Sequence, residues 1–140
     1  IHYRDVSDLL QHLEDEMAER LITVCRKYAY TDTAVEAFPY LTELYRFAQE
    51  NADLCQVLLG PNGDRVYTER ICSILHSYFL RDFVARFYNG DRDRLEYFCC
   101  FIVSGNLTLT LQWLSSGTKE TPEEMAQLAG GIIMDGVRAL

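Results

Sequence analysis

The sequence predicts an all-α protein, a helical bundle of about five to six helices, and three observations support this fold class. Apolar residues recur every three or four positions through most of the chain. The stretches between these runs carry the glycines, prolines and capping residues that end and begin helices. The chain has 140 residues and is 49% hydrophobic, which is enough to enclose one core. We therefore expect one helical domain.

The first predicted helix begins near Val6 and runs for about six turns. Its apolar positions are separated by three or four residues: Val6, Leu10, Leu13, Met17, Leu21, Val24 and Tyr28. Asp5 or Ser7 can cap its start. The opposite face is polar, so we expect one side of this helix in the core and the other in water. Residues 30–37 break the pattern and are predicted to be a connection.

Two further helices are predicted before residue 90. One begins at Pro39, which a first helical turn tolerates, and its apolar spacing continues toward Asn51. The apolar run extends to Leu59 and stops at residues 60–64, where two glycines, a proline and an Asn-Gly pair prevent a helix from continuing. The next helix begins after this loop and is predicted to end at the Asn-Gly pair at positions 89–90.

The segment 97–118 carries no charged residue and its pattern is ambiguous. Polar and apolar residues alternate from Asn106 to Trp113, which is the period of a half-buried strand. No other segment offers a partner strand, and a lone buried strand would leave amide groups unsatisfied. We therefore predict a helix from about Asp93 to Ser116. A membrane span is not expected, because most of residues 104–118 are polar or glycine.

The last helix is predicted to begin at Thr121 and to continue to the end of the chain, because a capping hydroxyl, a proline and two glutamates follow one another there. It has two apolar stripes, and so does the helix before it. Glycines within these two helices lower their helix propensity, a cost usually accepted where backbones approach closely. We predict a two-fold homodimer with a four-helix interface. The residues expected there are Phe98, Ile102, Gly105, Leu109, Leu128, Ile132 and Gly136. The alternative is a monomeric bundle with a weakened last helix.

Composition excludes several function classes. The net charge of −8 lacks the positive field on which sequence-independent DNA binding relies. No helix-forming segment resembles a secretory signal, and five cysteines without a CxxC spacing favour a reduced, cytoplasmic compartment. The three histidines lie far apart in the sequence, so neither a metal site nor a cofactor is expected. No nucleophile motif or phosphate loop accompanies the cysteines, so we do not expect an enzyme.

The adjacent Cys99 and Cys100 offer a redox or soft-metal sensor as an alternative. Because they lie in an apolar segment, buried and unreactive thiols are the favoured interpretation.

A family resemblance rests on motifs spread along the chain. The opening sequence from His2 to Leu10, His-Tyr-Arg-Asp-Val-Ser-Asp-Leu-Leu, resembles the end of the TetR-type helix-turn-helix signature. The motif Asn-Ala-Asp-Leu at positions 51–54, the loop at 58–64, the helix at 101–105 and the stretch from Trp113 to Met125 resemble the C-terminal regulatory domain of one TetR subgroup. The resemblance covers nearly the whole chain.

The TetR resemblance implies a DNA-reading domain followed by a helical effector and dimerisation domain whose last two helices pair across the dimer. Residues 1–5 then represent a remnant of the helix-turn-helix domain, and residues 6–140 the regulatory domain. Operator DNA would be bound through the N-terminal domain that precedes this chain, with His2 and Tyr3 at the junction. A lysine is frequent at one junction position of the family, but this chain has Val6 there.

The expected function is that of a transcriptional repressor whose DNA binding responds to a small apolar or aromatic effector. The first helix would act as the lever, because a ligand that prefers one packing shifts the population of DNA-competent states. The candidate pocket residues are Tyr28, Tyr45, Phe79, Phe83 and Trp113. A ligand-free dimeric regulator controlled by a protein partner, or a stand-alone helical interaction module, remain the alternatives.

Overall fold

The computed structural model describes residues 3–29, 38–82 and 88–140, and the side chains of all of these except 28–29, 38–39 and 80–82. The described chain forms helices joined by turns, without a strand. The helices are α1 (Val6–Ala29), α2 (Phe38–Glu50), α3 (Ala52–Leu59), α4 (Arg65–Asp82), α5 (Arg92–Ser115) and α6 (Pro122–Ala139). The all-α prediction is confirmed, and the helix count agrees with it over the described ranges.

The first helix begins at a carboxylate cap. The Asp8 amide donates a hydrogen bond to Asp5 Oδ1 over 2.8 Å, which satisfies one of the free amides of the first turn. Of the two caps that the sequence offered, the structure therefore uses Asp5.

The apolar run between positions 40 and 59 is divided into two helices at Asn51. The Asn51 side-chain amide donates to the Phe47 carbonyl over 2.8 Å, and Asn51 itself has a non-helical ψ of 34°. This local bond competes with regular helix geometry. Sequence periodicity did not reveal the break, because apolar spacing continues through it.

The uncharged segment is helical, as predicted, and α5 ends in a Schellman motif. The Gly117 amide donates to the Leu114 carbonyl over 3.3 Å, and the Thr118 amide donates to the Trp113 carbonyl over 3.0 Å. Gly117 has a φ of +92°, in the left-handed region that favours glycine.

Replacement of Gly117 by alanine should lower the free energy of unfolding by about 1–2 kcal/mol, because an L-residue is strained in the left-handed region. Urea denaturation at fixed protein concentration measures this loss. Ser116→Ala is the matched control, since φ at Ser116 is −85° and alanine adopts that geometry freely. Equal stabilities of the two variants would show that Gly117 does not hold the motif.

The connection between α5 and α6 is fixed at both sides. Thr121 Oγ1 accepts a hydrogen bond from the Glu124 amide over 3.1 Å, which caps α6 as the sequence predicted. Trp113 Nε1 donates to the Glu120 carbonyl over 3.0 Å, so the buried indole also finds its partner in this connection. The two helices consequently run antiparallel.

The core is formed by all six helices. The last helix packs chiefly along α2, while α5 packs chiefly against α4, and α1 lies against α2 and α4. Every buried side chain in the described residues is hydrophobic. One ion pair, between Arg46 Nη2 and Glu123 Oε1 at 2.6 Å, joins α2 to α6 at the surface.

Candidate functional site

A cavity of about 100 Å³ lies in the core between the first five helices. It has contributions from α1 (Met17, Leu21), α2, α3 (Cys55, Leu59), α4 (Ile71, Leu75, Phe79) and α5, and none from α6. Almost all of these side chains are apolar, and none carries a formal charge. The cavity is therefore a site for an apolar guest rather than for an ion.

Three polar residues of the cavity wall form one small cluster between α2 and α5. Tyr45 Oη donates to Asn106 Oδ1 over 2.8 Å, and Thr110 Oγ1 donates to the Asn106 carbonyl over 2.7 Å. Burial raises the pKa of the Tyr45 hydroxyl to about 12, so this group is neutral at physiological pH and retains its proton. The cluster can bond a polar atom of a guest without introducing a charge.

Three polar contacts hold α1 against the helices around the cavity. Arg70 Nη1 lies 2.6 Å from Asp15 Oδ1, Arg26 Nε donates to Tyr78 Oη over 3.2 Å, and Arg20 Nη1 donates to Asn51 Oδ1 over 2.9 Å. The hydrogen bond from Arg70 holds the pKa of Asp15 below its usual value, which keeps this carboxylate ionised. Because α1 also contributes Met17 and Leu21 to the cavity, it contacts both a guest and this polar network.

The exposed side of α5 carries no charge from residue 97 to its end, and we call it the uncharged face. Tyr97 and Phe101 are 75% and 76% exposed there, although both are large and apolar. On α6, Leu128 and Ile132 are 52% and 53% exposed. The antiparallel register places Phe101 near the level of Ile132, since a Cβ atom on Gly136 would lie 2.5 Å from the Phe98 ring. Large apolar side chains are thus exposed on both helices.

The comparison with protein families identifies the family to which the chain belongs. A TetR-type family model, described as "Transcriptional regulator C-terminal region", matches residues 36–135. The chain belongs to the TetR family. It contains the C-terminal regulatory region of a transcriptional regulator, and the fold implied by this membership agrees with the helices described above. No curated protein and no solved structure gave a match.

The TetR family match leaves α1 outside it, since the match begins at residue 36. At the start of α1, the Tyr3 ring lies 5.4 Å from the His12 ring in a tilted arrangement and is 38% exposed. His2, the other predicted junction residue, lies outside the described residues. The junction assignment therefore stays a prediction.

The predicted pocket residues of this TetR-type domain divide into three groups. Tyr45 and Phe79 line the cavity. Trp113 does not line it but contacts the outer side of Tyr45, with ring centroids 5.7 Å apart at an interplanar angle of 85°. The side chain of Tyr28 and the whole of Phe83 lie outside the described residues. Asn106 and Thr110 were missed, although a polar pair within an uncharged segment was a visible signal.

The residues predicted for the dimer interface differ in their exposure. Gly105, Leu128 and Ile132 are exposed, and Phe98, Leu109 and Gly136 are partly buried. Ile102, in contrast, is only 6% exposed and lines the cavity, so it faces the interior of its own protomer. Phe101, one position earlier, occupies the outward direction that was predicted for Ile102, because successive helical residues are rotated by about 100°.

Among the described helices, α5 alone is long and apolar enough for a membrane span, with a mean hydropathy of 1.3 over 18 residues. Only 28% of this window is buried within the protomer. Polar Ser104, Thr108 and Gln112 also lie on its exposed side. This composition favours a protein partner over lipid as the cover of α5.

The adjacent thiols of α5 differ in exposure. Cys99 is fully buried and Cys100 is exposed, so the prediction of two buried thiols is wrong for Cys100. Burial raises the pKa of the Cys99 thiol to about 11, and it raises the pKa of the cavity residue Cys55 to the same value. Both groups are therefore protonated at neutral pH.

Alkylation of Cys55 and Cys99 at about pH 8 should be on the order of 100-fold slower than in the urea-unfolded chain, because the raised pKa values reduce the thiolate fraction. The rate should increase as the pH rises toward 11, since deprotonation then restores the nucleophile. Timed labelling with iodoacetamide and peptide mass spectrometry measures each site. Equal labelling rates in the folded and unfolded chain would contradict the burial of these thiols.

Proposed function

We propose that this TetR-family domain is the effector-sensing and dimerising part of a cytoplasmic transcriptional repressor. The apolar cavity among α1 to α5 is the observation that carries the proposal, because a concave apolar site with a few polar groups is typical of small-molecule binding. Operator DNA is bound by an N-terminal reader joined to α1. A small apolar or aromatic effector in the cavity changes how firmly that reader binds.

The active form is a homodimer that buries the uncharged face of α5 together with the exposed stripe of α6. Large apolar side chains on both helices support this assignment, since soluble monomers seldom expose contiguous apolar surface of this kind. Gly105 and Gly131 support it further, because the space where a Cβ atom would stand is empty within 4 Å at both. A partner backbone can approach closely at these positions.

The effector acts through α1. A guest in the cavity contacts Met17 and Leu21, and a packing change there is opposed by the Asp15–Arg70 and Arg26–Tyr78 contacts. A guest that fits one arrangement better shifts the population toward it. In a dimer, the two α1 starts carry the two DNA readers, so their separation sets the match to two half-sites.

Benzene is the simplest probe of the cavity, because apolar cavities of similar volume bind it. Binding is followed through Trp113, the single tryptophan, which contacts Tyr45, and through the thermal midpoint. Ala48 is 7% exposed and lines the cavity, so Ala48→Leu fills part of it. We expect benzene to raise the midpoint of the wild type and not that of this variant.

The exposed Ser73 on α4, which does not line the cavity, provides the control Ser73→Leu, which should respond to benzene like the wild type. A wild-type protein that shows no response to benzene in either measurement would contradict the effector site and favour regulation by a protein partner.

A further inference from the structure

We propose that the cavity selects an uncharged, mainly apolar molecule about the size of one substituted aromatic ring, and that the Asn106 side-chain amide bonds a single acceptor oxygen on it. The inference rests on the proposed effector role of the cavity and specifies the chemistry of that effector. A ketone, ester or ether carried on a small ring has these properties.

None of the described residues that line the cavity carries a charge, so they offer no partner to an ionised guest. The nearest titratable groups that line it are Tyr45, Tyr40 and Cys55. The Tyr45 hydroxyl and the Cys55 thiol are neutral at physiological pH, because burial raises their pKa values to about 12 and about 11. A carboxylate or ammonium entering the cavity would lose its hydration without gaining an opposite charge.

The polar cluster leaves one donor for the guest. Asn106 Oδ1 already accepts from Tyr45, and the Thr110 hydroxyl donates to the Asn106 carbonyl. Within the part of the chain that the structure describes, the Asn106 Nδ2 group makes no hydrogen bond with protein. Asn106 is partly buried and lines the cavity, so this amide is placed to donate to a guest.

The volume limits the size of the guest. About 100 Å³ is somewhat smaller than engineered apolar cavities of about 150 Å³ that bind benzene, so a single ring fills it. The cavity is partly open to the surface, so a short substituent on that ring can extend toward the opening. The cavity is bounded by the side chains of five helices, and large fused-ring or long-chain molecules would require these helices to separate.

Three probes of nearly equal shape distinguish the components of this proposal: acetophenone, α-methylstyrene and benzoate. Acetophenone has a carbonyl oxygen where α-methylstyrene has a methylene carbon, and benzoate adds a charge. We expect acetophenone to bind the wild type about five- to tenfold more tightly than α-methylstyrene, as one net hydrogen bond provides. Benzoate should not bind measurably. Trp113 fluorescence and the shift of the thermal midpoint report binding independently.

Asn106→Leu removes the amide and keeps a similar size, so acetophenone should lose its advantage while α-methylstyrene binds as well as before. Asn89→Leu repeats the same substitution at an exposed site and should leave all affinities unchanged. Asn106→Ala also removes the donor if leucine impairs folding, and the comparison of probes on the wild type needs no variant.

The outcomes separate the two proposals. Equal binding of acetophenone and α-methylstyrene to the wild type, or preferred binding of benzoate, would overturn the selectivity and leave the effector cavity intact. A failure of benzene and of both neutral probes to bind would overturn the proposed function itself.

Discussion

Phe101→Glu is expected to convert the proposed homodimer into a protomer of 16.2 kDa. Phe101 is 76% exposed on the uncharged face of α5, at the level of Ile132 on α6. In a two-fold interface each substitution occurs twice, so two carboxylates would lose their hydration in an apolar contact without gaining an opposite charge. Uncompensated buried charges cost several kcal/mol, which corresponds to a loss of dimer affinity on the order of 100-fold or more.

Size-exclusion chromatography with light scattering measures the mass of this variant over a range of concentrations. The control is Val66→Glu, because Val66 at the start of α4 is similarly exposed at 71% and lies away from the proposed interface. We expect the control to remain a dimer. If Phe101→Glu and Val66→Glu behave alike, the uncharged face is not the interface.

Ile133→Ala should lower the free energy of unfolding by about 2–5 kcal/mol, because it removes buried carbon atoms and leaves a cavity. Ile133 is completely buried on the side of α6 that faces the core, and α6 packs chiefly along α2. Thermal and urea unfolding at several protein concentrations separate this protomer effect from dimer dissociation.

Ile132 provides a matched control one residue away. It is 53% exposed in the protomer, so Ile132→Ala should change the stability of the isolated protomer little and should instead weaken the dimer. A large loss of protomer stability in Ile132→Ala, or none in Ile133→Ala, would contradict the orientation of α6.

Much of the fold could be predicted from the sequence, because helix periodicity and capping are local. The helix from Asp93 to Ser116 was predicted despite a strand-like alternation at residues 106–113, since a strand there would have lacked a partner. The structure has α5 at Arg92–Ser115 and the predicted cap at Thr121. The break at Asn51 was not predictable from periodicity, because it depends on one side-chain bond to Phe47.

The candidate site was predicted less completely. In a helical segment that is apolar on every side, the sequence pattern does not show which side faces the core. Residues 98–103 are such a segment, so the apolar pattern does not distinguish Phe101 from Ile102 as the outward residue. Tyr45 and Phe79 were among the candidate pocket residues suggested by the family resemblance, and both line the cavity. The place of Asn106 in the polar cluster could not be predicted from the sequence, because it depends on the packing of α2 against α5, which brings Tyr45 within hydrogen-bond distance.

The functional account joins three features of this TetR-family domain. We propose that the cavity receives an uncharged guest and that α5 and α6 pair two copies. In this account α1 contacts both the guest and the polar network around Arg70. Occupancy of the cavity should therefore change the separation of the two α1 helices in the dimer.

A spin-label distance measurement across the dimer tests this connection most directly. Gln11 is exposed near the start of α1, so Gln11→Cys provides the label site in a background where the accessible Cys72 and Cys100 are replaced by serine. Pulsed dipolar spectroscopy is recorded with and without acetophenone. We predict a defined distance between the two labels that shifts when acetophenone is added. A missing dipolar signal would contradict the dimer, and an unchanged distance at saturating acetophenone would contradict the coupling of the cavity to α1.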